Sequence, residues 1–338
     1  MYKEVLPNIF MIQVPLPNNP LGHLNSYLIN SDEKKVLIDT GLNFKQSFQS
    51  LCEDLNAIGI KLEEITDILL THFHADHVGL LPHLRIKSKH AKILIHQAEV
   101  ELSKLILGGD RNFNERIESL FKANGVPTSL IYNVGKSHPA LSSQQAYEEI
   151  VKSAIGLQEG HKIEVGDYEF KVIWTPGHSP GHICLYEPRM KILLAGDHIL
   201  PRITPHISKF MENSSPLTDY IKSLRKVEAL DIKLVLPAHE DIFIGYHERI
   251  AELMLHHMQR LNEIVEKLKE KPKTAFELAS EIKWFVKYPR WDVFPPFQKY
   301  LAIGECLSHL DFLERQGFIT KISSGSINLY SLSNKPVK

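Results

Sequence analysis

Short runs of apolar residues, separated by residues that favour turns, recur along most of the chain. Such runs are typical of strands. They lie at residues 8–14, 24–29, 36–38, 65–70, 92–96, 162–165, 168–174, 192–196 and 234–237. Apolar residues at helical spacing predict a helix over 44–58, which Gly59 would end, and another near 217–230. Strands that alternate with helices in this way predict a mixed α/β fold.

Two regions depart from this alternation. Residues 97–151 are mostly helical and interrupt the strands, and insertions of this kind often cover an active site. Towards the C-terminus the pattern predicts a long helix over 247–271, two further helices and, at 318–331, a β-hairpin. Three helices and a hairpin resemble a winged-helix module. We therefore predict two domains, residues 1–250 and residues 251–338.

Length and composition are those of an ordinary globular protein. The 338 residues suit two domains, and 43% of them are hydrophobic and 23% charged. A formal net charge of −1 provides no general attraction to nucleic acid or to a membrane. The three cysteines show no paired spacing, and we find neither a secretion signal nor an apolar stretch that could span a bilayer. We therefore expect a cytoplasmic protein without a membrane partner.

The histidines, unlike the overall composition, point to a specific chemistry. Eighteen are present, and several follow predicted strands, where α/β sheets place their ligand sites. After the strand at 65–70 come His72, His74, Asp76 and His77. Imidazole and carboxylate groups at this density suit zinc or iron, and the absence of cysteine from this segment argues against a closed structural zinc site. The competing interpretation is a polar loop whose histidines cap the following helix.

Four more candidates follow other strands. His178 lies in a loop rich in glycine and proline, and Asp197 and His239 each follow a short apolar strand. Asp39, at the end of the strand at 36–38, either starts a helix or holds a metal-binding histidine in place. The same arrangement of a strand, a loop and a metal-binding residue type thus recurs along the chain.

The order and types of these residues resemble the metallo-β-lactamase superfamily of αββα hydrolases, over residues 1 to about 250. The resemblance implies a first metal bound by His72, His74 and His178, and a second bound by Asp76, His77 and His239. It further implies that Asp197 bridges both metals, that Asp39 supports a ligand, and that His182 orients its neighbours without binding metal.

Differences from individual branches of that superfamily narrow the expectation. His74 stands where the flavodiiron branch has glutamate, which disfavours oxygen reduction. Asp197 stands where many zinc β-lactamases have cysteine, which disfavours antibiotics as native substrates. The loop at 175–182 is similar to that of hydroxyacylglutathione hydrolases.

These resemblances imply a hydrolase with two divalent metal ions and a metal-bound hydroxide. Zinc is the first choice, although the ligands also suit iron or manganese. Asp76 would orient the nucleophile in addition to binding metal. The expected substrate is a small thioester, ester or lactone. The competing hypotheses are a metal-dependent ribonuclease, a DNA-binding regulator and a dioxygenase with one iron.

The charge of the C-terminal region disfavours DNA as a partner. From Pro272 onwards it has nine lysines and arginines against six acidic residues. The helix predicted at 297–315, which would enter the DNA groove, has two basic and three acidic residues. Affinity for DNA comes largely from neutralising phosphates, so this helix is poorly suited to it. RNA stays a possible partner, because the aromatic residues between 284 and 297 offer rings that stack on bases.

Overall fold

The computed structural model describes residues 1–107, 111–137, 144–284 and 288–333. The chain divides into two compact units. The first consists of Met1–Gly109, Pro139–Pro205 and Ser223–Arg249, and the second of Asp110–His138, His206–Lys222 and Ile250–Lys338.

The first unit contains a seven-stranded sheet whose strands lie in chain order. They are β1 (Tyr2–Leu6), β2 (Ile9–Pro15), β3 (His23–Asn30), β4 (Lys35–Ile38), β5 (Asp67–Leu69), β6 (Lys92–His96) and β7 (Ile155–Leu157). Neighbours are antiparallel from β1 to β4 and parallel from β4 to β7. The sequence pattern did not predict β1 and β7. Both are edge strands, and an edge strand needs less apolar sequence because one side of it is unpaired.

A second, five-stranded sheet completes the strands of this unit. It contains β8 (Lys162–Val165), β9 (Tyr168–Trp174), β10 (Ile183–Glu187), β11 (Ile192–Gly196) and β12 (Leu234–Pro237), in the order β12-β11-β10-β9-β8. Only the β11–β12 pair is parallel in this sheet. Both β11 and β12 therefore direct their carboxyl ends to the same edge.

The two sheets pack face to face, because alternate apolar residues of both belong to one buried cluster. Ile29 and Ile38 of the first sheet join Phe170 and Leu185 of the second in this cluster. The other face of the seven-stranded sheet is covered by helices, which the structure places at α1 (Lys45–Ile58), α2 (Ala75–Val78), α3 (Leu81–Lys87), α4 (Gln97–Leu107) and α7 (Gln144–Lys152). This mixed α/β arrangement confirms the predicted fold class.

The local signals that start and end helices are visible in the structure. Helix α1 ends where Gly59 takes a φ of +89°, a left-handed conformation that glycine adopts without strain. Helix α10 (Ala275–Glu281) begins after Thr274, whose hydroxyl accepts a hydrogen bond from the Glu277 N–H. The Glu277 carboxylate accepts the Thr274 N–H in return. This reciprocal capping contributes about 1 kcal/mol to such a helix.

The second unit is mainly helical. It includes α5 (Arg111–Ala123), α6 (Thr128–Ser137), the start of α8 (Pro216–Glu228), most of α9 (Tyr246–Leu268), α10, α11 (Pro296–Arg315), β13 (Ile319–Ser324) and β14 (Ile327–Leu332). The rings of Phe121, Phe210 and Tyr300 stack in its core, with Phe121 and Tyr300 centroids 4.5 Å apart. The unit thus joins the helices and hairpin predicted beyond residue 250 with two earlier segments. Local periodicity could not predict that association, because the partners are distant in sequence.

Two predicted regions are only partly described. Residues 108–110 and 138–143 of the predicted insertion, and Phe285 of the aromatic stretch, lie outside the described residues. In the described part of this stretch, the rings of Trp291 and Phe294 pack with centroids 5.4 Å apart. None of the described helices combines the length and the apolar composition needed to cross a membrane.

Candidate metal centre

Seven histidines and aspartates from distant parts of the first unit lie close together at the carboxyl ends of its strands. Three groups each bring three ligand atoms within 4.8 Å of one another. The groups are His72, His74 and His178; His72, His77 and Asp197; and Asp76, His77 and His239. The first and third groups share no member, so the potential ligands form two adjacent positions. All seven residues are those that the sequence indicated.

Asp197 lies between the two positions. Its Oδ2 atom is 3.4 Å from His178 Nε2, in the first group. Its Oδ1 atom is 3.6 Å from His77 Nε2 and 3.5 Å from His239 Nε2. The two carboxylate oxygens therefore face different groups.

The left-handed turn after β4 positions Asp39 behind the ligands. Asp39 has a φ of +56°, and its two carboxylate oxygens accept hydrogen bonds from the Thr71 N–H at 2.9 Å and the Thr71 hydroxyl at 2.8 Å. His77 Nδ1 is also 2.8 Å from this carboxylate. When Nδ1 of His77 carries the proton, Nε2 keeps a free lone pair and can serve as a ligand atom in the third group.

Burial keeps two of the histidines neutral. It lowers the pKa of His72 well below its usual value, and the neighbouring His77 and His74 lower it further. Burial, with the adjacent His178, lowers the pKa of His74 to about 3. A neutral imidazole has a free lone pair, which is the form that binds a cation.

The carboxylates remain charged in spite of their burial. Burial alone would raise the pKa of Asp76, but His239, whose Nε2 lies 3.5 Å from the Asp76 carboxylate, and the nearby His77 together lower it to about 2. Burial opposes the ionised form of Asp197 as well, yet His239 and His77 hold its pKa well below the usual range. Conversely, burial would lower the pKa of His77, but Asp39 and Asp197 raise it well above its ordinary value. The raised pKa of His77 shows that the carboxylates attract positive charge at the centre of the site, as they would attract a metal ion.

The polar atoms at the centre fit a bound metal. Among the residues that the structure describes, His77 Nε2, His239 Nε2 and Asp197 Oδ1 are buried and have no hydrogen-bond partner. Buried polar atoms are nearly always paired, so three such atoms in one place require an explanation. Divalent cations coordinated by these nitrogen and oxygen atoms provide it, and the mixed donor set suits zinc, iron or manganese.

His182 lies behind this cluster and contacts the backbone that carries Asp197. Its Nε2 atom accepts the Asp197 N–H at 3.0 Å, and its Nδ1 atom lies 2.8 Å from the Thr175 hydroxyl. Burial and the adjacent His198 hold the pKa of His182 well below its usual value. His182 is absent from the three groups of potential ligands in the described part of the chain. Its contacts position Asp197.

The sequence interpretation missed several residues that hold the site together. Asn25 donates from Nδ2 to the carbonyls of Pro237 and Glu240, on either side of His239. The Tyr27 hydroxyl donates to the same Pro237 carbonyl at 2.8 Å. Glu99 accepts hydrogen bonds from two backbone N–H groups: that of Phe73, in the loop that carries His72 and His74, and that of Gly181, in the loop that carries His178. Glu99 follows the carboxyl end of β6, and this position was the one available signal.

Comparisons with known proteins place the fold and the site in one family. The family described as the metallo-β-lactamase superfamily has a model that matches residues 20–239. The chain therefore belongs to the metallo-β-lactamase superfamily, as its motifs indicated, and is a metallo-hydrolase.

Similar proteins are known in bacteria and animals. A probable metallo-hydrolase of Bacillus subtilis is 28% identical over 332 residues, which cover 94% of this chain and 96% of that protein. A human acyl-coenzyme A thioesterase is 30% identical over 255 residues, which cover 72% of this chain and 81% of that enzyme. The crystal structure of a metallo-β-lactamase family protein from Thermus thermophilus has a TM-score of 0.78 and 26% identity, and the match covers 97% of this chain and all of that one (100%).

Proposed function

We propose that the chain is a hydrolase with two divalent metal ions, zinc by preference, that cleaves small acyl thioesters. The observation that carries the proposal is the position of Asp197, whose two oxygens face two different groups of potential ligands. A site for one ion needs no carboxylate of this kind. The proposal therefore disfavours a dioxygenase with a single iron.

His72, His74 and His178 would hold one ion, and Asp76, His77 and His239 the other, with Asp197 between them. Two cations bound there would lower the pKa of a water molecule towards neutrality and stabilise the negative charge that develops on a carbonyl oxygen.

The protein's own groups orient the reaction. Asp76 is ionised at neutral pH, since the nearby His239 and His77 together outweigh the effect of burial and lower its pKa to about 2. Its carboxylate can accept a hydrogen bond from the attacking water and direct the oxygen lone pair towards the substrate. Asp39 holds His77 and His182 holds Asp197, so that the ligands need little rearrangement during turnover.

The substrate class rests on similarity. The ligand set suits thioesters, esters, lactones and RNA equally, because each reacts through attack on a carbonyl or phosphoryl centre. The human relative that acts on acyl-coenzyme A thioesters favours the first of these. A ribonuclease is the second candidate from the sequence, and DNA is not an expected partner.

The test measures metal content and hydrolysis in the same preparation. Protein reconstituted with zinc is analysed for metal per chain and then given an acyl-coenzyme A, a lactone and a single-stranded RNA. We expect two ions per chain, and thiol release from the thioester that is faster than cleavage of the other two and is lost on chelation. Asp197→Asn serves as the inactive control.

Other outcomes would separate the parts of the proposal. Cleavage of RNA without thioester hydrolysis would support the ribonuclease. One tightly bound ion in a fully active protein would reject the paired site. No metal-dependent hydrolysis of any of the three substrates would reject the proposed activity.

A further inference from the structure

Glu99 is a carboxylate buried in the first unit with an unusual pair of partners. It lies in the first turn of α4, directly after β6, and its exposed fraction is 0%. Burying a charged carboxylate costs several kcal/mol unless hydrogen bonds compensate it. The contacts of Glu99 should therefore show what it contributes.

Each carboxylate oxygen accepts a backbone N–H from a different loop. Glu99 Oε2 accepts the N–H of Phe73, which lies between His72 and His74, at 2.9 Å. Glu99 Oε1 accepts the N–H of Gly181, between His178 and His182, at 2.6 Å. One side chain therefore connects the two loops whose histidines form the first ligand group.

The approach of the second loop to Glu99 requires a glycine. A Cβ atom on Gly181 would lie 2.7 Å from Glu99 Cγ and 2.7 Å from the Glu99 backbone nitrogen. Any larger residue would push the loop away from the carboxylate. The close packing of Gly181 against Glu99 is a separate observation from the hydrogen bonds, and it constrains the same distance between the second loop and Glu99.

We propose that Glu99 is a positioning residue that sets the separation of the two histidine loops, and thereby the affinity of the group formed by His72, His74 and His178 for a divalent cation. The inference rests on the proposed function. Glu99 contacts the two loops through the backbone N–H groups of Phe73 and Gly181.

A carboxylate is suited to this role and an amide is not. An ionised carboxylate accepts hydrogen bonds at both oxygens, whereas a glutamine side chain has one acceptor oxygen and one NH2 donor. Glu99→Gln would place a donor against the N–H of Phe73 or of Gly181. One loop would then lose its partner and move, and loss of an outer hydrogen bond of this kind typically weakens metal binding about 10- to 100-fold.

Glu187 provides a matched control. It is also buried, with an exposed fraction of 0%, and it also accepts two donors, Arg189 Nε at 3.0 Å and the Met190 N–H at 2.5 Å. It pairs with Ile192 at the start of β11, the strand whose other end precedes Asp197. Glu187→Gln thus removes an equivalent buried charge far along the sheet from the ligands.

The experiment titrates metal-free wild type, Glu99→Gln and Glu187→Gln with Co²⁺, and follows the visible absorption that reports coordination geometry. We expect Glu99→Gln to bind the ion of the first group about 10- to 100-fold more weakly, with a changed spectrum. Glu187→Gln should bind as wild type does. Circular dichroism confirms that each variant is folded before the titration.

The outcomes distinguish this inference from the proposed function. If wild type binds no Co²⁺, the proposed metal centre fails. If wild type binds it and folded Glu99→Gln has an affinity within twofold and the same spectrum, only the role of Glu99 is rejected. Should Glu99→Gln not fold, Gly181→Ala keeps the charge and displaces the loop, and an unchanged affinity in that variant would also reject the inference.

Discussion

The two units each contain a cluster of buried histidines, and the clusters differ in what the ring nitrogens face. In the first unit, imidazoles converge on carboxylates in three groups of potential ligands. In the second, His257 Nδ1 lies 3.1 Å from His309 Nε2, and His309 Nδ1 donates to the Glu305 carbonyl at 2.8 Å. His206 Nδ1 lies 3.1 Å from the Glu305 carboxylate.

Burial and histidine content alone therefore do not make a metal site. In the described part of the second unit, no three ligand atoms converge as they do in the first. The rings of the second cluster bond mainly to each other and to helix α11. Convergence of several ring nitrogens on one carboxylate is what separates the candidate metal centre from a structural cluster, and the predictions below test that distinction.

The largest difference is expected between two buried carboxylates, Asp197 and Glu305. Asp197→Asn should lower turnover by about 10³-fold and reduce bound metal, because a neutral amide cannot bridge two cations. Glu305→Gln should keep wild-type metal content and turnover, since its carboxylate contacts His206, which belongs to none of the three groups of potential ligands in the described part of the chain. Metal analysis and initial rates measure both. Equal losses in the two variants would remove the distinction between the clusters.

A smaller effect is expected for Asp39, which supports a ligand without facing the cations. Asp39→Asn should weaken metal binding about 10- to 100-fold, because His77 loses the charged acceptor that fixes its proton on Nδ1. Asparagine tolerates the left-handed backbone at this position, so the turn should persist. The control is Asp67→Asn, a buried aspartate at the start of β5. Calorimetric titration with metal should find that Asp67→Asn binds the metal with the affinity of wild type.

Metal should also stabilise the first unit. Its ligands converge only in the folded state, so the free energy of binding adds to the free energy of unfolding, by about 4 kcal/mol when the metal is 1,000-fold above its dissociation constant. Chelation should lower the melting temperature of wild type by several degrees. It should have much less effect on Asp197→Asn. An identical melt with and without metal in wild type would contradict the coupling.

The smallest expected effect is on the pH dependence of the free energy of unfolding, to which His309 of the second histidine cluster contributes. Burial lowers the folded-state pKa of His309 to about 4, below the usual value of 6.5. The stability that neutral His309 contributes is therefore complete above about pH 6.5 and is lost as the pH falls towards 4. Between pH 7 and pH 5 wild type should lose about 2 kcal/mol more than His309→Leu. Urea unfolding at both pH values measures this, and parallel losses would show that His309 does not titrate as described.

Much of the fold could be predicted because its signals are local. Alternating and continuous apolar runs marked the central strands, and Gly59 and Thr274 marked helix ends. The edge strands β1 and β7 escaped, since β1 mixes polar and apolar residues, β7 has only three residues, and pairing with a neighbour defines both. The residues for the site could likewise be predicted, because every one follows a strand in a short motif.

The residues that position the site escaped prediction for a different reason. Apart from its position after β6, nothing around Glu99 in the sequence distinguishes it from a surface glutamate at the start of a helix. Its role arises from N–H groups at Phe73 and Gly181, which are 26 and 82 residues away along the chain. Asn25 is similar, since its partners lie 212 and 215 residues further on.

The sequence by itself therefore determined the residue types of the candidate centre and the strands that carry them, because residue chemistry and local periodicity are properties of neighbouring positions. The tertiary structure decided how closely the ligand atoms converge, which side chains hold the ligand loops in place, and which segments join the second unit. These depend on contacts between residues distant along the chain. Such contacts form only when the sheets pack face to face and bring the carboxyl ends of their strands together.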